Sequence, residues 1–414
     1  MRIPTLAVTL AAAAAIVAVP TAAHAAPPVA VDDSAVHFSD SSLVNIEVLA
    51  NDAEHADNSG KSLTLTSESL SIDTAHGSVT CTAAGRCTYR QDAGWVGTET
   101  FNYTVTDGTE TAQGTVSVRT VSIGTFGHDL STRALRWPDT LTVTGFLKDP
   151  SGAPIQNADV KLMAKGASNV YQQVGPTLNT GTTGTMTMGG LTPTENTIYK
   201  WVFASRSSIS RGITVTPHLG VAWEAKKLAV GDTTTATVTT APVTAGGTVL
   251  LERRLEDGSG AWTTVGQHTF TESSTANQVV TFQVPGLNGL RVYRARVPAS
   301  GNRQEATSAT TTIRGYKAAV VDFNAPNADE WVKIENTGKV SFNIEDWVLT
   351  DADSTVPLPS HTVRAGETVR VHSGTGQISL RNTYLRDTPR YWEGDSIITL
   401  TDAREYELDV FPNP

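Results

Sequence analysis

An all-β chain, organised as a string of sandwiches, is predicted by three observations: apolar and polar residues alternate in short runs, turn-forming residues punctuate them, and no run keeps a helical period. The clearest run, Thr100-Phe101-Asn102-Tyr103-Thr104-Val105-Thr106, is closed by Asp107-Gly108 and followed by Gly114-Thr115-Val116-Ser117-Val118. Alternation at period two marks strands with one buried face. Strands spaced roughly 8 to 12 residues apart, with no helices between them, point to sandwiches. Composition agrees: Thr, Val and Gly are abundant and there are only 4 Met, and Thr and Val are β-formers.

The chain opens with Met1 and Arg2, an apolar run from Leu6 to Val19, then Pro20 and small residues to Ala26. The run is roughly 14 residues, too short to span a bilayer of about 30 Å, and Ala23-His24-Ala25 has the small-x-small pattern of a cleavage site. Residues 1–25 are therefore expected to be a signal peptide cut after Ala25. No later stretch approaches the roughly 18 uncharged apolar residues of a membrane span, so no span is expected in the mature chain. The remaining roughly 390 residues suggest about four domains. A net charge of −10 without a basic cluster argues against a general attraction to nucleic acid phosphates.

Cys81 and Cys87 are the 2 cysteines. They flank Thr-Ala-Ala-Gly-Arg, which reads as a hairpin turn between Ser78-Val79-Thr80 and Thr88-Tyr89-Arg90. In an exported chain this predicts a cross-strand disulfide, whose short loop is worth about 2 to 3 kcal/mol.

In the first unit, residues 26–121, Ala30-Val31-Asp32-Asp33, Val48-Leu49-Ala50-Asn51-Asp52, Gly77-Ser78-Val79 and Gly94-Trp95-Val96-Gly97-Thr98-Glu99-Thr100-Phe101 occur in order. Together these resemble the bacterial immunoglobulin-like, cadherin-like repeat of large surface adhesins. Residues 122–218 and 219–315 read as two copies of another unit. Asp159-Val160-Lys161-Leu162, Tyr171 to Gly175 and Tyr199 to Phe203 answer to Thr248-Val249-Leu250-Leu251, Trp262 to Gly266 and Tyr293 to Val297, offset by about 90 residues each. Each copy has the length of one immunoglobulin-like sandwich, and by pattern the pair resembles the divergent immunoglobulin-like repeats of exported bacterial proteins.

The last unit, residues 316–414, holds Asn327-Ala328-Asp329-Glu330-Trp331-Val332-Lys333-Ile334-Glu335-Asn336-Thr337-Gly338, then Ile344-Glu345-Asp346-Trp347-Val348-Leu349, Val363-Arg364-Ala365-Gly366-Glu367, and Trp392-Glu393-Gly394-Asp395-Ser396-Ile397 with Thr399-Leu400-Thr401-Asp402. This series resembles the lamin-tail domain, itself an immunoglobulin-like sandwich. Where that family usually has a Gly in the turn after the last aspartate, this chain has Ala403-Arg404-Glu405. The fold class expected for the whole is all-β: tandem immunoglobulin-like β-sandwich domains in an elongated chain with short junctions.

Little chemistry is visible. Asp32, Asp33, Asp52 and Asp107 sit at strand ends and turns, where gathered carboxylates would hold Ca²⁺ with six to eight oxygens or would cap turns through their own backbone. Calcium is the one cofactor the residues suggest. Asp351 with Asp353, and Asp395 with Asp402, resemble an acid/base pair only in spacing, since a glycosidase pair needs a sugar cleft between its carboxyls. No H-E-x-x-H, C-x-x-C, G-x-S-x-G or P-loop occurs, so no catalysis is expected. Trp331 shares strand parity with Lys333, placing it outward while Val332 and Ile334 face in. It is the candidate ligand-binding residue; Trp331, Trp347 and Trp392 together could form a binding platform or pack in the core, and the parity of Trp347 is ambiguous.

The function these features imply is a secreted, non-catalytic, modular surface or extracellular protein of binding or adhesion type, held at the cell wall or released. It would present its lamin-tail-like domain to a cell-wall polymer or another extracellular protein, with no nucleic acid partner. The alternative is an accessory subunit that targets a secreted hydrolase; DNA binding, taken from the lamin resemblance alone, is opposed by the acidity.

Overall fold

The computed structural model describes residues 26–39, 43–55, 60–325, 330–386, 392 and 397–411. The expected signal peptide, residues 327–329 and residues 393–396 lie outside the described residues. The described regular elements are β-strands, apart from a three-residue 3-10 turn at Ser67–Ser69. Among the described residues, no helix is long and apolar enough to cross a membrane.

The N-terminal sandwich pairs two four-stranded sheets. In one, Asp33–Phe38 runs parallel to Thr111–Val121, which pairs with Gly97–Thr106; the other centres on Gly77–Cys81 and Arg86–Gln91. Alternation does what period two requires: Phe101, Tyr103 and Val105 are buried and Thr98, Thr100 and Asn102 exposed. Glu99 shares the buried face, and its carboxylate accepts the amides of Ala75 and His76 at 2.8 and 3.0 Å, the satisfaction a buried charge needs. Cys81 and Cys87 stand directly opposite each other in the register and form the disulfide within this core.

The next two sandwiches share one topology. In the earlier one, Thr125–Leu130, Leu141–Lys148 and Thr185–Leu191 form a three-stranded sheet that faces Ala134–Arg136, Arg211–Thr216, Thr197–Phe203, Asp159–Lys165 and Gln172–Asn179. In the later one, His218–Trp223, Thr233–Ala241 and Gln278–Pro285 face Lys227–Ala229, Thr311–Tyr316, Gly289–Val297, Thr248–Leu255 and Thr263–Thr269 in the same order. Equivalence reaches single hydrogen bonds. The hydroxyl of Ser208 accepts from the Trp201 amide at 2.9 Å, and that of Ser308 from the Ala295 amide at 2.9 Å; each then donates to the carbonyl one residue on. Trp201 fills the earlier core, and Gly145 is the residue that makes room: a Cβ there would lie 2.6 Å from the Met186 sulfur and 2.7 Å from the Trp201 ring.

In the C-terminal sandwich, Ala318–Asn324, Trp331–Asn336, Thr368–His372 and Asn382–Tyr384 form one sheet, and Val348–Thr350 and Ile398–Thr401 form the centre of the other. Trp347 and Trp392 are buried, which takes both out of any exposed platform with Trp331, and Trp347 stacks on Phe342 with ring centres 4.7 Å apart. The Asn336-Thr337-Gly338 sequence has a structural use. Asn336 is wholly buried; its Nδ2 donates to the carbonyls of Val340 and Val363 and its Oδ1 accepts from Gly338.

Adjacent sandwiches meet through shared structure. Phe38 and Val121, at the ends of paired strands of the first, lie in the core of the second. Between the second and third, the Asn196 amide donates to Asn302 O at 2.7 Å, and Arg303 Nε donates to Thr194 O at 2.7 Å. Between the third and fourth, Tyr316 ends a strand of the third yet stacks on Trp347 in the core of the fourth, its hydroxyl donating to Asp402 at 2.6 Å. Arg404, where the lamin-tail pattern departs, reaches back to Asp232 at 3.1 Å, Glu224 at 3.6 Å and Thr233 O at 3.0 Å. The turn closes without glycine because Asp402 Oδ1 accepts the amides of Arg404 and Tyr406, while Glu405 takes a φ of 64°.

A left-handed conformation costs a non-glycine residue about 1 to 2 kcal/mol. Glu405→Gly is therefore expected to stabilise the chain by up to about 1 kcal/mol once the looser unfolded chain is counted, read as a higher melting temperature. Arg404→Ala, which removes the charged ties to the third sandwich, is expected to cost about 1 kcal/mol in the same thermal denaturation experiment.

Candidate binding surfaces

Of the four aspartates expected as a calcium site, Asp32, Asp33 and Asp52 lie close together and Asp107 stands apart. Asp32 Oδ1 accepts the Thr115 amide at 2.9 Å, and Asp52 Oδ1 accepts the Val31 amide at 2.7 Å. The Tyr103 hydroxyl lies 3.0 and 3.1 Å from the two Asp52 oxygens. Asp107 caps the hairpin tip instead, its Oδ1 accepting the amides of Thr109 and Glu110. That tip lies beyond the Thr106–Thr111 pair, four residues from Thr115, which is about 13 Å along a strand. Among the described residues, no three His, Cys, Asp or Glu side chains are grouped to hold a metal ion.

Asp33 stands at the centre of this cluster. Burial, offset in part by a hydrogen bond with Tyr103 and reinforced by the charges of Asp52 and Asp32, pushes its carboxyl up to about 6. The same burial, with Asp52, raises the Tyr103 phenol well above its usual value.

Potential catalytic pairs resolve into structural roles. His128 Nδ1 lies 2.9 Å from Ser208 Oγ, but both residues are buried and that hydroxyl already accepts the Trp201 amide. Burial lowers the His128 imidazole to about 4, so it is neutral at physiological pH. Asp351 Oδ1 accepts the amides of Asp353 and Ser354, and Asp402 holds its own turn and Tyr316; Asp395 lies outside the described residues. A cleft of about 1110 Å³ opens between the first two sandwiches and is lined by Ser34, His37, Glu47, Asp159 and Lys161 among others. Ser34 and His37 point to opposite faces of their strand, Glu47 pairs with Arg86 at 3.6 Å, and Asp159 accepts from Asn179 at 2.9 Å.

The outward face of the C-terminal sheet is different. Trp331 is half-buried while Val332 and Ile334 are fully buried, the parity read from sequence. In register across the sheet, Asn324 stands beside Trp331, Trp331 beside His372 and His372 beside Tyr384. The His372 and Tyr384 rings stack with centres 4.7 Å apart, and the Arg370 guanidinium lies 4.6 Å from the centre of the Trp331 ring. The result is a row of three aromatic rings beside a cation on the side of the sheet away from the core, with Trp331 and Tyr384 half-buried and His372 between them buried. Sequence reading found Trp331 but missed His372 and Tyr384, which join it only through strand pairing.

The fold thus defines a modular all-β protein of tandem immunoglobulin-like sandwiches. Residues 25–119 match the family model of the bacterial Ig domain and residues 317–412 that of the Lamin Tail Domain. The chain therefore carries one of these domains towards each end. No curated protein matches it. Among solved structures, it is similar to a tetra-tandem repeat in the extending region of a large adhesion protein, at 13% identity and a TM-score of 0.26, with 84% of this chain and 89% of that one covered. Another is the adhesin InvE of Yersinia pseudotuberculosis, at 15% identity and a TM-score of 0.26, covering 56% and 67%. A third, the D1–D4 ectodomain fragment of ICAM-5, shows 12% identity and a TM-score of 0.27, covering 84% and 96%.

Two expectations follow from the aspartate cluster. Because the folded pKa of Asp33 is raised, its contribution to stability is complete below about pH 4 and is lost as the pH rises through about 6. Asp33→Asn should therefore raise the melting temperature at pH 7.5 and leave it unchanged at pH 4. Millimolar Ca²⁺ should leave the melting temperature of the parent protein unmoved, since a bound ion would raise it by mass action.

Proposed function

We propose that this is a secreted, non-catalytic binding protein of the cell surface or its surroundings. In this reading, sandwiches with boundaries near residues 121, 218 and 315 hold the C-terminal lamin-tail domain, which engages a cell-wall polymer or another extracellular protein. The aromatic row Trp331–His372–Tyr384 is the observation that carries the reading. The half-buried rings of Trp331 and Tyr384, with the buried His372 packed between them, lie on the sheet face opposite the sandwich core and offer a stacking surface for sugar rings or partner side chains. The apolar leader supports export, and the turn and core roles of the Ser, His and Asp pairs support the absence of catalysis.

The test uses the mature chain, residues 26–414, incubated with cell-wall fractions and secreted proteins of its source. Retention is expected for the parent and is expected to fall at least about tenfold in Trp331→Ala and Tyr384→Ala, the loss of a binding hot spot of 1.4 kcal/mol or more. Equal retention of parent and variants, with unchanged melting curves, would remove the row from the binding account.

A further inference from the structure

The two middle sandwiches repeat one side-chain arrangement on the outward face of the larger sheet. In the earlier sandwich, Ala164 pairs with Gln172, so Tyr171, one residue on, stands across from Lys165. Lys200 pairs with Met163, two residues along the same face. The Lys200 and Lys165 ammonium groups lie 4.2 and 5.1 Å from the centre of the Tyr171 ring. In the later sandwich, Arg253 pairs with Thr263, which sets Trp262 across from Arg254, and Arg294 pairs with Glu252. The Arg254 and Arg294 guanidinium groups lie 4.6 and 4.2 Å from the Trp262 ring centre. The residue types differ but the pattern is the same: one aromatic ring and two cations at equivalent positions.

Packing does not require this pattern. The cores use the opposite faces of the same strands, through Val160, Leu162, Val249 and Leu251. Two cations converging on one ring repel each other, and carboxylates outnumber cations in this chain, 41 to 31. Even so, among the described residues no carboxylate forms an ion pair with Lys165, Lys200 or Arg254, whereas Arg294 is paired with Glu252 at 2.8 Å. The ring has a use in this setting. Long cationic side chains lose rotamer freedom when fixed, and a cation–π contact holds both of them in place before a ligand arrives.

We propose that each ring with its two cations is a clamp for one anionic group of a negatively charged glycopolymer. The carboxylate or phosphodiester of a repeating unit would accept hydrogen bonds from both cations. Recurrence in successive sandwiches fits a polymer, because two modest sites on one chain combine by effective concentration. It fits sparse charge better than nucleic acid, whose one charge per roughly 1.7 Å of duplex calls for a continuous basic track. The middle sandwiches are then binding elements as well as supports.

The test is affinity electrophoresis of the mature chain, residues 26–414, through gels containing polygalacturonate, poly(glycerol phosphate), a neutral β-glucan or duplex DNA. Retardation is expected with at least one of the two anionic glycopolymers, falling with added salt, and none with the neutral glucan; the arm that responds tells carboxylate from phosphodiester. Lys165→Gln/Lys200→Gln and Arg254→Gln/Trp262→Thr should each weaken binding about threefold, and together more than about tenfold. Arg90→Gln/Lys148→Gln, which removes two exposed cations elsewhere, should leave it within about twofold, and Lys165→Arg should retain it. Melting curves run alongside, with Lys200→Gln alone replacing a pair that fails to fold. The proposal is overturned if neither anionic glycopolymer retards the parent at low salt, if the combined variant binds like the parent, if the Arg90/Lys148 control weakens binding equally, or if DNA binds as well. Trp331→Ala should leave this retardation unchanged, so failure here and failure of the C-terminal reading are told apart.

Discussion

Tyr316 is the residue on which the arrangement of the C-terminal half rests. It completes a strand of the third sandwich, and its ring enters the core of the fourth, stacked with Trp347 while its hydroxyl meets the buried Asp402. There is no linker to speak of: Lys317 alone separates that strand from Ala318–Asn324. A flexible connector would leave two sandwiches free to reorient. Here a single aromatic side chain belongs to both, and loosening the contact means exposing apolar surface and taking the donor from one oxygen of the buried Asp402 carboxylate. Arg404 adds a second tie from the other side of the same turn, which gives a physical reason for the departure from the usual glycine-containing turn.

The other junctions use the same economy of chain with different chemistry. The first sandwich gives Phe38 and Val121 to its neighbour's core, an apolar contact. The second and third meet through the Arg303 guanidinium, the Asn302 carboxamide and main-chain groups, a polar contact that fills the backbone needs of a short crossing. In each case the strand pairing of one unit carries almost directly into the next, so the outer sheet faces are left free of linker contacts. Those faces hold features outside the sandwich cores: the aromatic row of the C-terminal sheet and the ring-and-cation groups of the middle two. An immunoglobulin-like sandwich buries one face of each sheet and leaves the other to be shaped by function.

Ionisable groups divide in a parallel way. The buried Glu99 and Asp402 and the half-buried Asp52 are satisfied by backbone amides or by a phenol, and the buried Glu252 by two arginines, and all serve the fold. Turn carboxylates such as Asp107 and Asp351 are occupied by the amides two and three residues on. This occupation is why spacing that suggested calcium or an acid/base pair led to neither grouping: an aspartate at a turn looks the same in sequence whether its oxygens face a metal or its own backbone.

What the sequence by itself determined is what depends on neighbours near in the chain. Strand existence and facing in Gly97–Thr106 and Trp331–Asn336 followed from residues two apart, and the Cys81–Cys87 bond from one hairpin. The lamin-tail likeness followed from short motifs whose turn and core residues, such as Asn336 and Gly338, act locally. Only the tertiary structure decided which side chains meet across strands. Trp331 joins His372 and Tyr384, and Trp262 joins Arg294, through registers that link residues some 30 to 50 positions apart. A shift of one residue in such a register reverses which face every side chain occupies. The alternation of a strand fixes its faces but carries no information on its partner or its offset, so the binding surfaces came into view only when the sheets were assembled.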